Sequence, residues 1–266
     1  MKNKVVIITG ASSGIGKACA EFFVKAGSKV VLASRNFDKL SDVENDLKKH
    51  GVVFKLITDV SKEEECKRLV DETVRHFGGI DVLICNAGLS MRALFADVDL
   101  DVLRQLMNTN FWGTVFCTKY ALPHLLKSKG SLVGISSIAG KKGLPGRSGY
   151  SVSKFAMEGF LESVRIENLK KNLHVLVACP GFTASDIRKA SLSKDGSPQG
   201  ESPRDEKKMM LPDEVAQKIY QAVVNRKRDL ILTTNGKLTV WIDKFFPSFM
   251  DRMVYHHLSK EPDSPF

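Results

Sequence analysis

Val5-Val-Ile-Ile-Thr9-Gly-Ala-Ser-Ser-Gly-Ile-Gly16 is the stretch whose reading decides the fold. A short, almost wholly apolar run of strand-forming residues passes into a turn of small residues, and the turn opens an amphipathic segment from Gly14 to Ala26. Glycines let the backbone turn tightly and come close to a bulky anion. A helix beginning there offers free N–H groups and the positive end of its dipole. A glycine turn alone is a weak signal. At the first strand-to-helix junction, Gly10, Ser12, Ser13, Gly14, Ile15 and Gly16 predict a pyrophosphate cradle, and so a dinucleotide site.

Working outward, apolar runs of strand length alternate with longer amphipathic ones. Strands are predicted at Val5–Thr9, Lys29–Ala33, Val53–Ile57, Val82–Cys85, Gly130–Ile135, His174–Ala178 and Asp229–Thr233. Helices are predicted at Gly14–Ala26, Asp38–His50, Glu63–Phe77, Asp101–Leu126, Tyr150–Lys171 and Pro212–Asn225. Several strands are apolar throughout, as strands covered by helices on both faces must be. The pattern predicts an α/β fold: one doubly wound, Rossmann-type parallel sheet with helices on both faces, in a single domain over 1–266.

Bulk properties agree. The 266 residues are 43% hydrophobic and 26% charged, ordinary for a globular chain. Five cysteines, with no C-x-x-C, read as buried thiols of a reducing compartment. Six histidines show no ligand spacing, so no metal site is expected. The opening Met1-Lys-Asn-Lys leads straight into a strand too short for a secretory core, which points to a cytoplasmic protein. The net charge of +10 would suit an anionic partner. Its cations are scattered and not interleaved with aromatics, so nucleic acid is not an expected partner.

The end of the second strand selects the dinucleotide. An acidic residue there would bind the adenosine ribose and repel a 2′-phosphate. This chain has Ser34-Arg35, and a guanidinium matches phosphate, so NADP(H) is expected, with Ser12 adding a hydroxyl. Further along, Tyr150 and Lys154 stand four apart, on one helix face, with Ser137 thirteen residues upstream of Tyr150. An ammonium beside a phenol favours the phenolate, so Lys154 is expected to lower the Tyr150 pKa. With a serine hydroxyl to steady a carbonyl oxygen, this is a proton-transfer kit for interconverting a ketone and an alcohol.

Together these residues resemble the short-chain dehydrogenase/reductases, in the single-domain branch of this length. The overall layout is similar to members of the 7B type and the 11β-hydroxysteroid dehydrogenase type. The resemblance runs from Val5 to about Thr234. It implies that Asp59-Val60 holds the adenine edge and that Asn86-Ala87-Gly88 packs on the adenosine side. It implies that Asn110 interrupts helix bonding and positions a water below Lys154, completing a catalytic set with Ser137 and Tyr150. Family spacing selects Ser137 over Ser136. Pro180-Gly181 and the backbone after it would meet the nicotinamide carboxamide, with Thr183 and Ser185 as hydroxyl partners. Lys154 would also hold the nicotinamide ribose. A homodimer or homotetramer is expected.

The substrate is expected to be an apolar carbonyl compound, lipid- or steroid-like. The alternatives are a 3-oxoacyl thioester, met by Arg147, Arg188 and Lys189, or no substrate at all in a dinucleotide-binding sensor or scaffold. The residues that choose it are expected in Ser90–Phe95, Lys141–Ser148 and the polar loop Ser185–Met210, which reads as a mobile lid. The C-terminal extension, 236–266, carries aromatics and methionines at helical spacing, broken at Pro247. Packing on the fold or on a subunit partner is expected ahead of a peripheral membrane contact.

Overall fold

The computed structural model describes residues 1–185, 187–200, 209–262, 264 and 265. Seven strands form one parallel sheet: β1 (Val5–Thr9), β2 (Lys29–Ser34), β3 (Val53–Ile57), β4 (Val82–Cys85), β5 (Ser131–Ile135), β6 (His174–Cys179) and β7 (Asp229–Ile231). Their order is β3-β2-β1-β4-β5-β6-β7, so the winding reverses between β1 and β4. Sheets of this kind bind ligands at that point, beyond the carboxyl ends of the strands.

Alternation along each strand builds two cores. Val6 and Ile8 of β1 and Val82 and Ile84 of β4 face α1 (Gly14–Lys25), α2 (Phe37–Lys48) and α7 (Pro212–Val224). Ile7, Leu83 and Cys85 face the other way, onto α3 (Glu63–Phe77), α5 (Gly113–Ser128) and α6 (Ser148–Glu167). The strands are therefore buried on both faces, which is why they read as continuous apolar runs. All five cysteines are buried and free.

Several boundaries differ from expectation, most by one or two residues. The predicted helix Asp101–Leu126 is divided into α4 (Leu100–Leu106), a π-helical turn (Met107–Trp112) and α5. The cause lies at Asn110: it is wholly buried, its amide bonds outside the helix, and its carbonyl accepts from Thr114 Oγ1 at 2.9 Å. The sixth helix starts two residues early, at Ser148, and ends in a 3₁₀ turn at Leu169–Lys171. The last strand stops at Ile231, because Thr233 caps the next helix by accepting from Gly236 N.

The C-terminal extension forms α8 (Thr234–Phe245) and α9 (Pro247–Leu258), separated where Pro247 cannot continue the preceding helix. Lys142 pairs with Asp243 and Asp251, tying both helices to the segment after β5. Of the two packings expected for the aromatic stripe, that on the fold is not made by Trp241, Phe245, Phe246 and Phe249, which are more than half exposed in the single chain. Only Gly236, Met250 and Leu258 of these two helices are buried. Among the described residues, no helix is long and apolar enough to cross a membrane.

Candidate active site

A cavity of about 600 Å³ runs across the carboxyl ends of the strands. Every strand from β1 to β6 delivers a wall residue just past its end: Gly10, Arg35, Thr58, Asn86, Ser136 and Pro180.

The glycine turn forms one wall. Gly10 and Gly14 hold φ of +65° and +52°, a region that disfavours side chains. A Cβ on Gly10 would lie 2.9 Å from Ala87 Cα and Asn86 Nδ2, and one on Gly16 would collide with the Gly10 carbonyl. The turn is locked across the winding reversal. Thr9 Oγ1 accepts from Asn86 N and Ala87 N, each at 3.0 Å, and Asn86 Nδ2 donates to Thr9 O at 2.9 Å and Gly10 O at 3.1 Å. What remains is a bare-backbone groove at the start of α1, which fits a pyrophosphate. Gly16 lies beneath it, outside the cavity wall, and serves the close contact between α1 and the turn.

The end expected to take the adenosine is lined by Ser12 and Ser34, whose hydroxyls lie 2.8 Å apart, and by Arg35. Asn36 and Lys39 line it too, and sequence reasoning missed both. The signal was present: Asn36 caps α2 by accepting from Lys39 N at 2.9 Å, which places that lysine's helical turn directly after Arg35. Asp59 and Val60 border the same end, with Asp59 Oδ1 accepting from the backbone and hydroxyl of Ser61.

At the opposite end Ser137, Tyr150 and Lys154 line the cavity with Gly88, Gly181, Thr183 and Ser185. Lys154 is buried and donates to the Ile135 carbonyl at 2.8 Å; its ammonium stands 5.8 Å from the centre of the Tyr150 ring. Burial lowers its pKa to about 8. The Tyr150 phenol, by contrast, is raised by burial, against lowering influences from the Ser137 hydroxyl and the Arg147 guanidinium. The expectation that Lys154 lowers this phenol is thus corrected. Both groups are desolvated, which disfavours each charged form, and the ammonium is spent on a carbonyl. Ser136 points away, to Glu158, as adjacent strand residues must.

Asn110 stands behind this end, outside the cavity wall. Its Oδ1 accepts from Leu89 N at 2.7 Å, and its Nδ2 donates to Leu89 O at 2.9 Å and Ser153 Oγ at 2.8 Å. The helix interruption expected of Asn110 is there, in the π-helical turn. Its amide fixes the chain after Gly88, where a Cβ would press on Asn110 Oδ1.

The polar loop closes the cavity over its described part. Leu192 N donates to Ser90 O and Arg92 N donates to Leu192 O, each at 2.9 Å, while Asp99 N donates to Lys194 O. The loop is thereby pinned at Leu192 and Lys194 to the segment 90–99. The remainder of the expected lid, 201–208 with Asp186, lies outside the described residues. Arg92, Arg147 and Arg188 line the substrate end beside Met91, Leu144 and Ile187; Lys189 does not. Among the described residues no cluster of His, Cys, Asp and Glu could hold a metal ion.

Known proteins similar to this chain are numerous. The short chain dehydrogenase family profile matches residues 4–196. Dehydrogenase/reductase SDR family member 7B of Mus musculus is 35% identical over 99% of this chain and 84% of its own. The 11-beta-hydroxysteroid dehydrogenase-like 2 protein of Arabidopsis thaliana is 41% identical over 69% of this chain and 60% of its own. Among solved structures, an alcohol dehydrogenase from Thermococcus sibiricus complexed with 5-hydroxy-NADP superposes with a TM-score of 0.77 at 26% identity, covering 87% of this chain and 96% of that one. A short chain dehydrogenase/reductase from Burkholderia phymatum in complex with NAD shares the fold, with a TM-score of 0.84 at 22% identity over 93% and 95% of the two chains. The chain belongs to the short-chain dehydrogenase/reductases, an oxidoreductase family.

Proposed function

We propose that the protein is an NADP(H)-dependent oxidoreductase interconverting a ketone or aldehyde and an alcohol, with Tyr150 as general acid and base. One observation carries this reading: Ser137, Tyr150 and Lys154 line the same cavity as the Gly10–Ile15 turn. A sensor or scaffold would need the turn but not the three side chains opposite it.

Arg35 and Lys39 at the adenosine end favour a 2′-phosphate, since β2 ends without a carboxylate. The turn would hold the pyrophosphate, Asp59-Val60 the adenine edge, Asn86-Ala87-Gly88 the adenosine side, Tyr150 and Lys154 the nicotinamide ribose, and the stretch Pro180, Gly181, Thr183 and Ser185 the carboxamide.

When bound, NADPH would supply the hydride for the carbonyl carbon. Tyr150 gives its phenolic proton to the oxygen, and Ser137 steadies that oxygen by hydrogen bonding. A phenol held above its ordinary pKa stays protonated at neutral pH, which suits reduction. Lys154 keeps its ammonium below about pH 8 and Asn110 is the outer member of the relay.

Apolar Met91, Leu144 and Ile187 support an apolar carbonyl substrate. A second reading, a 3-oxoacyl thioester, is favoured by Arg147 and Arg188 in the same wall. The exposed aromatic face of α8 and α9 offers a surface for the expected homo-oligomer, or for peripheral membrane contact. Following NADPH and NADH oxidation with a panel of ketones, aldehydes and oxoacyl thioesters tests the whole reading. NADPH-preferring turnover of one class supports it. NADPH binding with no turnover of any class would leave only the dinucleotide-binding module.

A further inference from the structure

We infer that Glu158 is a positioning residue for the reaction, a carboxylate that clamps both sides of the turn bearing Ser137. The inference rests on the reductase reading above.

Glu158 lies one helical turn beyond Lys154 on α6, on the face that also carries Tyr150. It is buried, at 9% exposure. Its Oε1 accepts from Ser136 Oγ at 2.5 Å and from Cys179 Sγ at 3.4 Å, and its Oε2 pairs with Lys141 Nζ at 2.6 Å. Ser136 immediately precedes Ser137. Lys141 immediately follows the 3₁₀ turn Ile138–Gly140, whose cap is Ser137. One carboxylate therefore grips the chain before and after the hydroxyl that faces Tyr150.

The surroundings are shaped for this grip. A Cβ on Gly140 would collide with Glu158 Oε1 and Ser136 Oγ, so only glycine lets the turn close on the carboxylate. Burying a charge is costly unless it is paired, and a buried pair is rarely the most stabilising way to fill such a space. An apolar filler would pack as well but would leave Ser136 and Lys141 unanchored. What the carboxylate adds is a fixed geometry at Ser137, and reacting groups displaced by about 1 Å can lose roughly 100-fold in rate.

The same charge acts on Lys154. Glu158, Cys179 and Cys85 are the groups that favour its ammonium against desolvation. Burial raises both thiols, Cys85 to about 12, so they are neutral near pH 7. Glu158 is the anion among the three. Removing it lowers the Lys154 pKa further.

The test uses the full chain with its best carbonyl substrate. Glu158→Gln keeps the shape and an acceptor for Ser136 but removes the charge, while Ser136→Ala and Lys141→Met each release one arm. Glu158→Gln is expected to lower kcat roughly 10- to 100-fold, with KM and the NADPH dissociation constant unchanged. The alkaline midpoint of its pH–rate profile moves to lower pH; in Ser136→Ala kcat falls and the midpoint stays. Amide exchange at Gly140 and Lys141, which donate to Ser137 O and Ile138 O at 2.9 Å, quickens in Glu158→Gln and Ser136→Ala. Unaltered exchange and kcat in all three variants overturn the inference. Quickened exchange in a protein whose wild type turns over no carbonyl would instead sink the reductase reading, and with it any catalytic use of the clamp.

Discussion

The two ends of the cavity are built by different means. The end proposed for the dinucleotide has a backbone wall: a glycine turn with positive φ, a helix N-terminus, and hydrogen bonds from Asn86 to two carbonyls of the turn. The end proposed to react is made of desolvated side chains held by other side chains, with Asn110 bonded to Ser153 beside Lys154 and Glu158 bonded to Ser136 beside Ser137. The first tolerates change wherever no Cβ intrudes. The second has its pKa values set by burial and by a few neighbours, so single substitutions there should alter chemistry without altering the fold.

That contrast can be broken at either end. The largest effect is expected from Lys154→Met, which removes a buried ammonium: turnover falls by roughly 10²–10⁴ while the circular dichroism spectrum is retained. Full turnover in this variant would remove the reacting end from the account. Next comes Arg35→Ser. Loss of a charge-assisted contact raises the NADPH dissociation constant about 10- to 100-fold and leaves that of NADH alone. Equal weakening of both nucleotides, read by calorimetry, would move phosphate recognition away from the end of β2.

Asn110→Ala sharpens the comparison, because its three amide contacts are structural supports of the reacting end. It is expected to cost about 1–3 kcal/mol in chemical denaturation, without changing the affinity for NADPH. The smallest effect belongs to His174, which sits far from both ends between Ser131 Oγ and the Lys227 carbonyl. Burial lowers its pKa. The unfolded chain then binds the proton more readily, so stability falls as the pH drops through about 6.5. His174→Asn should flatten that acid limb while leaving turnover unchanged, and an unaltered limb would assign it to another group.

The cavity wall proposed for the dinucleotide was legible because its parts are local. Gly10, Gly14 and Arg35 each act within a few residues of a strand end, and strand ends can be read from apolar runs. Lys39 escaped notice because its role depends on the direction of α2, which the cap at Asn36 sets. The reacting residues were legible as types and spacings, but their electrostatics were not. Four-residue spacing places Lys154 near Tyr150; it does not reveal that both are desolvated, and the direction expected for the phenol was wrong for that reason. The division of the helix around Asn110 depends on Leu89 and Ser153, which lie 21 and 43 residues away in the chain. The outward-facing aromatics of α8 and α9 were read as packed on the fold or on a subunit partner, because spacing gives a stripe but not the direction it faces.

The central claim is that one cavity joins a phosphate-selecting dinucleotide end to a Tyr150-centred proton donor. Its most direct test compares Tyr150→Phe with the wild type, measuring NADPH binding and carbonyl turnover on the same preparations. Unchanged NADPH affinity with turnover reduced by roughly 10²–10⁴ is the predicted result. Retained turnover in that variant would contradict it.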